Sequence, residues 1–160
     1  MIDSTLCFPV RGDPPTEVLL GFKKTGFGVG KVTGFGGKVE PGETVVAAAL
    51  RELAEEAGLS AAENDLRPAG RLTFSFPARP SWSQVVHVLL VTSWDGTPIE
   101  SDEMRPAWFR VDALPFARMW QDASHWLPRI LAGERLAERL DLAFVFQDDN
   151  ESIQTVEERR

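Results

Sequence analysis

The sequence predicts an α+β fold in which a mixed β-sheet is sandwiched between α-helices. Three observations point to it. Short runs of β-type residues recur from Leu6 to Phe146, one stretch repeats its apolar residues at helical spacing, and no internal repeat or Ser/Gly linker divides the chain. Leu6–Val10 and Val18–Phe22 are expected as strands around the turn Arg11-Gly-Asp-Pro-Pro15. Pro9 cannot donate to a sheet ladder, which implies a bulge or an edge position for the first of them. Gly26 to Gly37, with six glycines, is expected as a loop holding a brief strand. After the turn at Pro41-Gly42, Val46, Ala49, Leu50, Leu53 and Ala57 make an apolar stripe, predicting a helix from Thr44 to Ala57 that stops at Gly58. Strands are expected at Leu72–Phe76, Val85–Thr92, Trp108–Val111 and Leu142–Phe146. A second helix is expected at Ser124–Ala132, interrupted early by Pro128.

At 160 residues, 17.7 kDa and 43% hydrophobic, the chain fits one domain over residues 1–160, and no apolar run is long enough to span a bilayer. The N-terminus lacks a secretory pattern and the single Cys7 has no internal disulfide partner, so a reducing cytoplasm is the expected compartment and a monomer the expected state. A formal net charge of −7 argues against duplex nucleic acid, whose phosphates are bound through clustered Lys and Arg. It suits a divalent cation better.

At about 100° per residue, Glu52, Glu55 and Glu56 fall within an arc of about 100° beside the apolar stripe. Three carboxylates on one semi-buried edge repel by about 3 kcal/mol per pair at an effective dielectric near 20. A hard cation with oxygen ligands relieves that repulsion. A solvated glutamate face is the ordinary alternative for such a run.

The surrounding residues decide between them. Gly37-Lys-Val-Glu-Pro-Gly-Glu43, followed seven residues later by Arg51-Glu52-Leu53-Ala54-Glu55-Glu56-Ala57-Gly58-Leu59, matches every position of the box G-x5-E-x7-R-E-U-x-E-E-x-G-U. The chain thereby resembles the Nudix hydrolases. That resemblance implies attack of water on a diphosphate, with Mg²⁺ as cofactor and Mn²⁺ as the alternative ion. It implies Glu52, Glu55 and Glu56 as metal ligands, joined by the Gly36 carbonyl. Arg51 would act in support, its guanidinium tying Glu43 to the helix. Glu56 is favoured as general base, with Glu103 as competitor.

Outside the box, Gly21-Phe-Lys-Lys-Thr-Gly-Phe-Gly28, Gly34-Phe-Gly-Gly-Lys-Val39, Gly96-Thr-Pro-Ile-Glu-Ser-Asp-Glu-Met-Arg-Pro106 and Leu114-Pro-Phe-Ala-Arg-Met-Trp120 are similar to the mammalian MutT-homologue family. Those enzymes hydrolyse oxidised purine nucleoside triphosphates such as 8-oxo-dGTP and 2-hydroxy-dATP to monophosphate and pyrophosphate, sanitising the nucleotide pool. The similarity implies Glu103 as a further metal ligand or base. It places Lys23, Gly36 and Gly37 at the substrate, and Phe27, Phe74, Phe76, Trp120 and Trp126 around the purine; Phe74 reads equally well as plain core. The family's base readers, an asparagine and two successive aspartates, are here Thr33, Asp122 and Ala123. Two altered readers of three predict blunted or redirected base selectivity with hydrolysis intact. Phe8-Pro9 also departs from the family's small or polar pocket residues. His87 and His125 are expected to be structural.

A second enzymatic reading keeps the chemistry and changes the substrate to an unmodified nucleotide, a dinucleoside polyphosphate or ADP-ribose. A reading of another class is a silent nucleotide sensor, for which so complete a set of glutamates would be superfluous.

Overall fold

The computed structural model describes residues 1–132 and 140–159, which hold eight strands and two α-helices. In chain order these are β1 (Ile2–Arg11), β2 (Glu17–Lys23), β3 (Val32–Thr33), α1 (Val45–Ala57), β4 (Leu66–Ser75), β5 (Gln84–Val91), β6 (Met104–Arg110), α2 (Ala123–Leu131), β7 (Leu140–Phe146) and β8 (Ile153–Glu158). The strands form one sheet of order β3-β2-β1-β5-β4-β7-β8, with β6 paired to β2. The pairs β1–β5 and β4–β7 are parallel and the others antiparallel, so the sheet is mixed.

Strand alternation sends neighbouring side chains to opposite faces and builds two cores. Cys7, Leu19, Leu89 and Val91 join Ala49, Leu53 and Ala57 of α1. Phe8, Leu20, Val88 and Leu90 join Trp126, Leu127 and Ile130 of α2. The expected sandwich of a mixed sheet between helices is what forms. Among the described residues no helix is long and apolar enough to cross a membrane.

Helix α1 follows from local chemistry. The Thr44 hydroxyl accepts from the Ala47 N–H at 3.0 Å, and Gly58, at φ +70°, donates its N–H to the Ala54 carbonyl at 3.0 Å and ends the helix in a left-handed turn.

Several expectations need correction. β1 starts at Ile2 rather than Leu6, because Asp3-Ser4-Thr5 hides a register in which Ser4 and Thr5 are nonetheless buried. Pro9 marks neither an edge nor a bulge. It lies in unbroken parallel register opposite Val91, and its N lies on the side where the Thr5 and Cys7 N–H groups bond the 35–37 segment, just before β1 changes partner to β2 at Val10. β4 begins at Leu66, running through Pro68 and Gly70 with a register shift between them, and β6 begins at Met104, running through Pro106. Helix α2 continues past Pro128 to Leu131, its apolar side held by buried Trp126, Leu127, Ile130 and Leu131. Strand β8 was not expected; its mostly exposed Ile153-Gln-Thr-Val-Glu-Glu sequence carries no alternation and is held by β7.

One irregularity positions the site. β6 occupies one edge of β2 along its whole length, so β1 and β3 share the other. β1 pairs with β2 only at Val10↔Val18 and Arg11↔Glu17, and then the two strands part. The glycine-rich chain after β3 fills the fork, bonding β1 through Cys7–Phe35 and Thr5–Gly37.

Candidate functional site

The fork is narrow, and Gly36 shows how narrow. A Cβ there would lie 1.8 Å from the Thr5 carbonyl oxygen, so no side chain fits. The Phe35 and Gly37 carbonyls accept from the Cys7 and Thr5 N–H groups at 2.6 and 2.8 Å. Alternation along an extended chain turns the N–H and carbonyl of Gly36 the other way. The Gly36 N–H accordingly donates to Glu56 Oε1 at 2.7 Å.

Glu56 is 1% exposed, and its second oxygen, Oε2, is buried without a hydrogen-bond partner among the described residues. The Lys23 ammonium stands 3.7 Å away. Burial pushes the Glu56 carboxyl up to about 8, against the opposing pull of Lys23 and the Gly36 N–H. Glu52, Glu56 and Glu103 each present a carboxylate oxygen, all within 4.8 Å of one another. Glu52 is also pushed upward, chiefly by burial and against Arg51. An orphaned carboxylate oxygen inside a cluster of three acids is the environment a divalent cation with oxygen ligands fits.

Glu55 stands apart from this cluster. Taking Glu52 as zero, Glu56 lies about 40° toward the apolar stripe while Glu55 lies about 60° away from it. Exposure follows that order, with the Glu56, Glu52 and Glu55 side chains 1%, 13% and 58% exposed. The single semi-buried edge expected for all three therefore holds only Glu52 and Glu56. Glu55 faces Arg51 instead, at 3.5 Å.

Arg51 lies beyond Glu55 around the helix and binds the loop before it. Its Nε and one terminal nitrogen hold both oxygens of Glu43 at 2.8 and 2.9 Å, and the other terminal nitrogen reaches Glu52 at 2.9 Å. The hydrogen bonds from Arg51 hold the Glu43 carboxyl down at about 2. Arg51 also donates to the Lys38 carbonyl at 3.2 Å, so one guanidinium fixes the loop and aims Glu52.

On the α2 side of the fork lies a cavity of about 430 Å³. It is lined by every residue expected around the substrate: Lys23, Phe27, Thr33, Gly36, Gly37, Phe74, Phe76, Trp120, Asp122 and Trp126. Glu56 joins it from the α1 side. Phe27 lies on the Trp120 ring at 5.3 Å and 16°, and Phe76 on Phe146 at 4.5 Å and 5°. Phe74 lines the cavity while also stacking on Phe144 at 5.5 Å. The Trp126 indole donates to Asp122 Oδ2 at 2.8 Å, and burial pushes the Asp122 carboxyl up to about 6.

Phe8 lines the cavity and packs on Trp126 at 5.7 Å. Sequence reasoning missed Trp82 and Gln84, which also line the cavity; Trp82 meets the edge of Phe27 at 4.7 Å. Their only sequence signal was position, shortly after the Phe74-Ser-Phe76 segment. Neither histidine lines the cavity: His87 pairs with Asp3 at 3.0 Å and His125 packs on Phe144 at 5.8 Å.

Comparison with known proteins agrees with this geometry. The NUDIX domain matches residues 3–130. The chain is 45% identical over 136 residues to the oxidized purine nucleoside triphosphate hydrolase of Mus musculus, covering 85% of this chain and 83% of that protein. It is 47% identical over 135 residues to the protein of the same description from Danio rerio, covering 84% and 85%. The solved mutator MutT protein of Bacillus halodurans has a TM-score of 0.79 at 20% identity, covering 99% of this chain and 97% of that one, a likeness of fold.

Proposed function

We propose, from the premise that this chain belongs to the NUDIX domain family, that it hydrolyses oxidised purine nucleoside triphosphates to monophosphate and pyrophosphate. The observation that carries the reading is the meeting, at one fork in the sheet, of an acidic cluster and an aromatic cavity of about 430 Å³. The identity to two oxidized purine nucleoside triphosphate hydrolases supports the substrate class.

In this reading the purine lies among Phe27, Phe76 and Trp120, where ring stacking supplies affinity. The phosphates extend through the fork toward Lys23 and Glu56. Glu52, Glu56 and Glu103, with the Gly36 carbonyl, would hold a divalent ion, Mg²⁺ by preference and Mn²⁺ as alternative. When bound, that ion supplies positive charge to the phosphate oxygens and makes water in the site more acidic. Glu56 is the base that takes the proton from attacking water, and Glu103 is the competing assignment. Arg51 positions Glu52 and Glu43 without touching substrate, and Glu55, also expected as a ligand, stands beside Arg51 outside the three-acid cluster. Water adds across the phosphoanhydride, and pyrophosphate leaves.

Pyrophosphate release from normal and oxidised dNTPs with Mg²⁺ tests the function. Turnover highest for an oxidised purine is expected, and no turnover of any triphosphate would sink the reading. Thr33 and Ala123 in the cavity favour a second reading, another nucleoside diphosphate derivative as substrate. Extending the panel to dinucleoside polyphosphates and ADP-ribose and ranking kcat/KM separates the two. The same proposal takes the protein as a monomer in a reducing cytoplasm, where buried Cys7 stays a free thiol, pushed up to about 12 by burial. Light scattering at a mass of 17.7 kDa is the expected result.

A further inference from the structure

The cavity contains a polar side chain with no role in the chemistry above. Gln84 opens β5, opposite Ile2 of β1 and Phe74 of β4, and all three line the cavity with Val86 two residues on. The sheet face around Gln84 is therefore apolar on three sides. A primary amide half-buried there is only partly solvated, so a ligand that excludes the remaining water must replace it as a partner. Its own partner is weak: Nε2 donates to the Trp82 carbonyl at 3.3 Å, and among the described residues no donor reaches Oε1. One N–H and the carbonyl are left for a ligand.

Resting on the purine reading above, we propose that Gln84 is a specificity-determining residue that reads the oxidised imidazole edge of an 8-oxopurine. The match is one of donors and acceptors. An unmodified purine offers a lone acceptor at N7 beside an apolar C8–H. Oxidation at C8 gives an N7–H donor beside a C8=O acceptor. The Gln84 carbonyl accepts from N7–H while its N–H donates to the C8 oxygen, two parallel bonds from one planar group. Against an unmodified purine the amide makes one bond at most and leaves its carbonyl unpaired in an apolar wall.

This reading is indifferent to the substituents at C2 and C6. It gives Thr33 and Ala123 a context, since weakened readers of the Watson–Crick edge cost little when the lesion itself is read on the opposite edge. Asp122, from the start of α2, remains for that other edge.

The test is the ratio of kcat/KM for 8-oxo-dGTP over dGTP, and for 8-oxo-dATP over dATP, in the wild type and in Gln84→Leu. The wild type is expected to favour both 8-oxo substrates and to give 2-hydroxy-dATP no comparable advantage. Gln84→Leu is expected to lower both ratios by about tenfold or more, because a site built to hydrogen-bond discriminates through the partners left unpaired. Should Gln84→Leu fold poorly, Gln84→Glu keeps an acceptor for N7–H and sets a negative charge against the C8 oxygen. Its ratios, and the relative affinities for 8-oxo-dGMP and dGMP from tryptophan fluorescence, are expected to fall likewise. Ratios within about twofold of wild type in a folded variant would overturn the role of Gln84 while leaving the hydrolase standing. Equal preference for 2-hydroxy-dATP in the wild type would overturn the edge assignment. A wild type that turns over no purine triphosphate would overturn the function and this inference together.

Discussion

Asp122 is 4% exposed and keeps its ionised form only at a cost. Burial raises its carboxyl to about 6, against the Trp126 indole and the nearby His125. A raised folded-state value means that the neutral acid favours the fold. That stability is fully present below the unfolded value of 3.8 and is lost as pH rises through about 6. Asp122→Asn keeps an acceptor for the indole N–H and removes the charge. The variant is expected to match the wild type near pH 4 and to exceed it by about 3 kcal/mol at pH 7.5. Denaturant titrations across that range check it, and a difference that does not vary with pH would refute it. The sequence marked Asp122 as a cavity residue but not as a buried acid, because burial depends on Trp126 folding back from the next turn. It marked three glutamates as equivalent when an arc of about 100° spans both a buried and an exposed edge of the helix. Gln84 and Trp82 escaped notice because they follow the Pro77-Ala-Arg-Pro80 stretch, whose irregular chain gives no register from which to tell which side chains turn inward.

Helix α1 was legible almost to the residue, since its apolar stripe and its terminal glycine are local features; Thr44, expected as its first residue, caps it instead. Its start can be tested locally too. Thr44→Ala removes the hydroxyl that accepts from Ala47. The expected cost is about 1 kcal/mol in urea unfolding, with kcat changed far less than by any substitution in the acidic cluster. A large fall in kcat with unaltered stability would show that Thr44 does more than start the helix. Strands were less legible than helices, for a different reason in each case. β1 and β4 begin in polar or turn-forming residues that only their neighbours hold extended, and β8 depends on β7. Pro128 misled in the other direction, because packing of Trp126, Leu127 and Ile130 outweighs one missing hydrogen bond.

At the scale of the molecule, the acidic cluster and the cavity lie on opposite sides of one sheet, a relation no local pattern encodes. A divalent ion bound between α1 and the fork would tie the two layers together. Adding Mg²⁺ is then expected to raise the melting temperature, approaching about 2.7 kcal/mol of stabilisation at a hundredfold excess over Kd. Chelation should reverse the rise and Glu56→Gln should abolish it; an equal rise in that variant would remove Glu56 from the ligand set. The parting of β1 from β2 also bears on how such a protein changes over time. A sheet of continuous ladders is a barrier between its faces, and here the β1–β2 ladder is interrupted, with the Gly36 backbone at the opening. On the proposed reading, substitutions at cavity positions such as Thr33 and Ala123 change which molecule is admitted. The hydrolytic machinery on the α1 side need not be rebuilt each time.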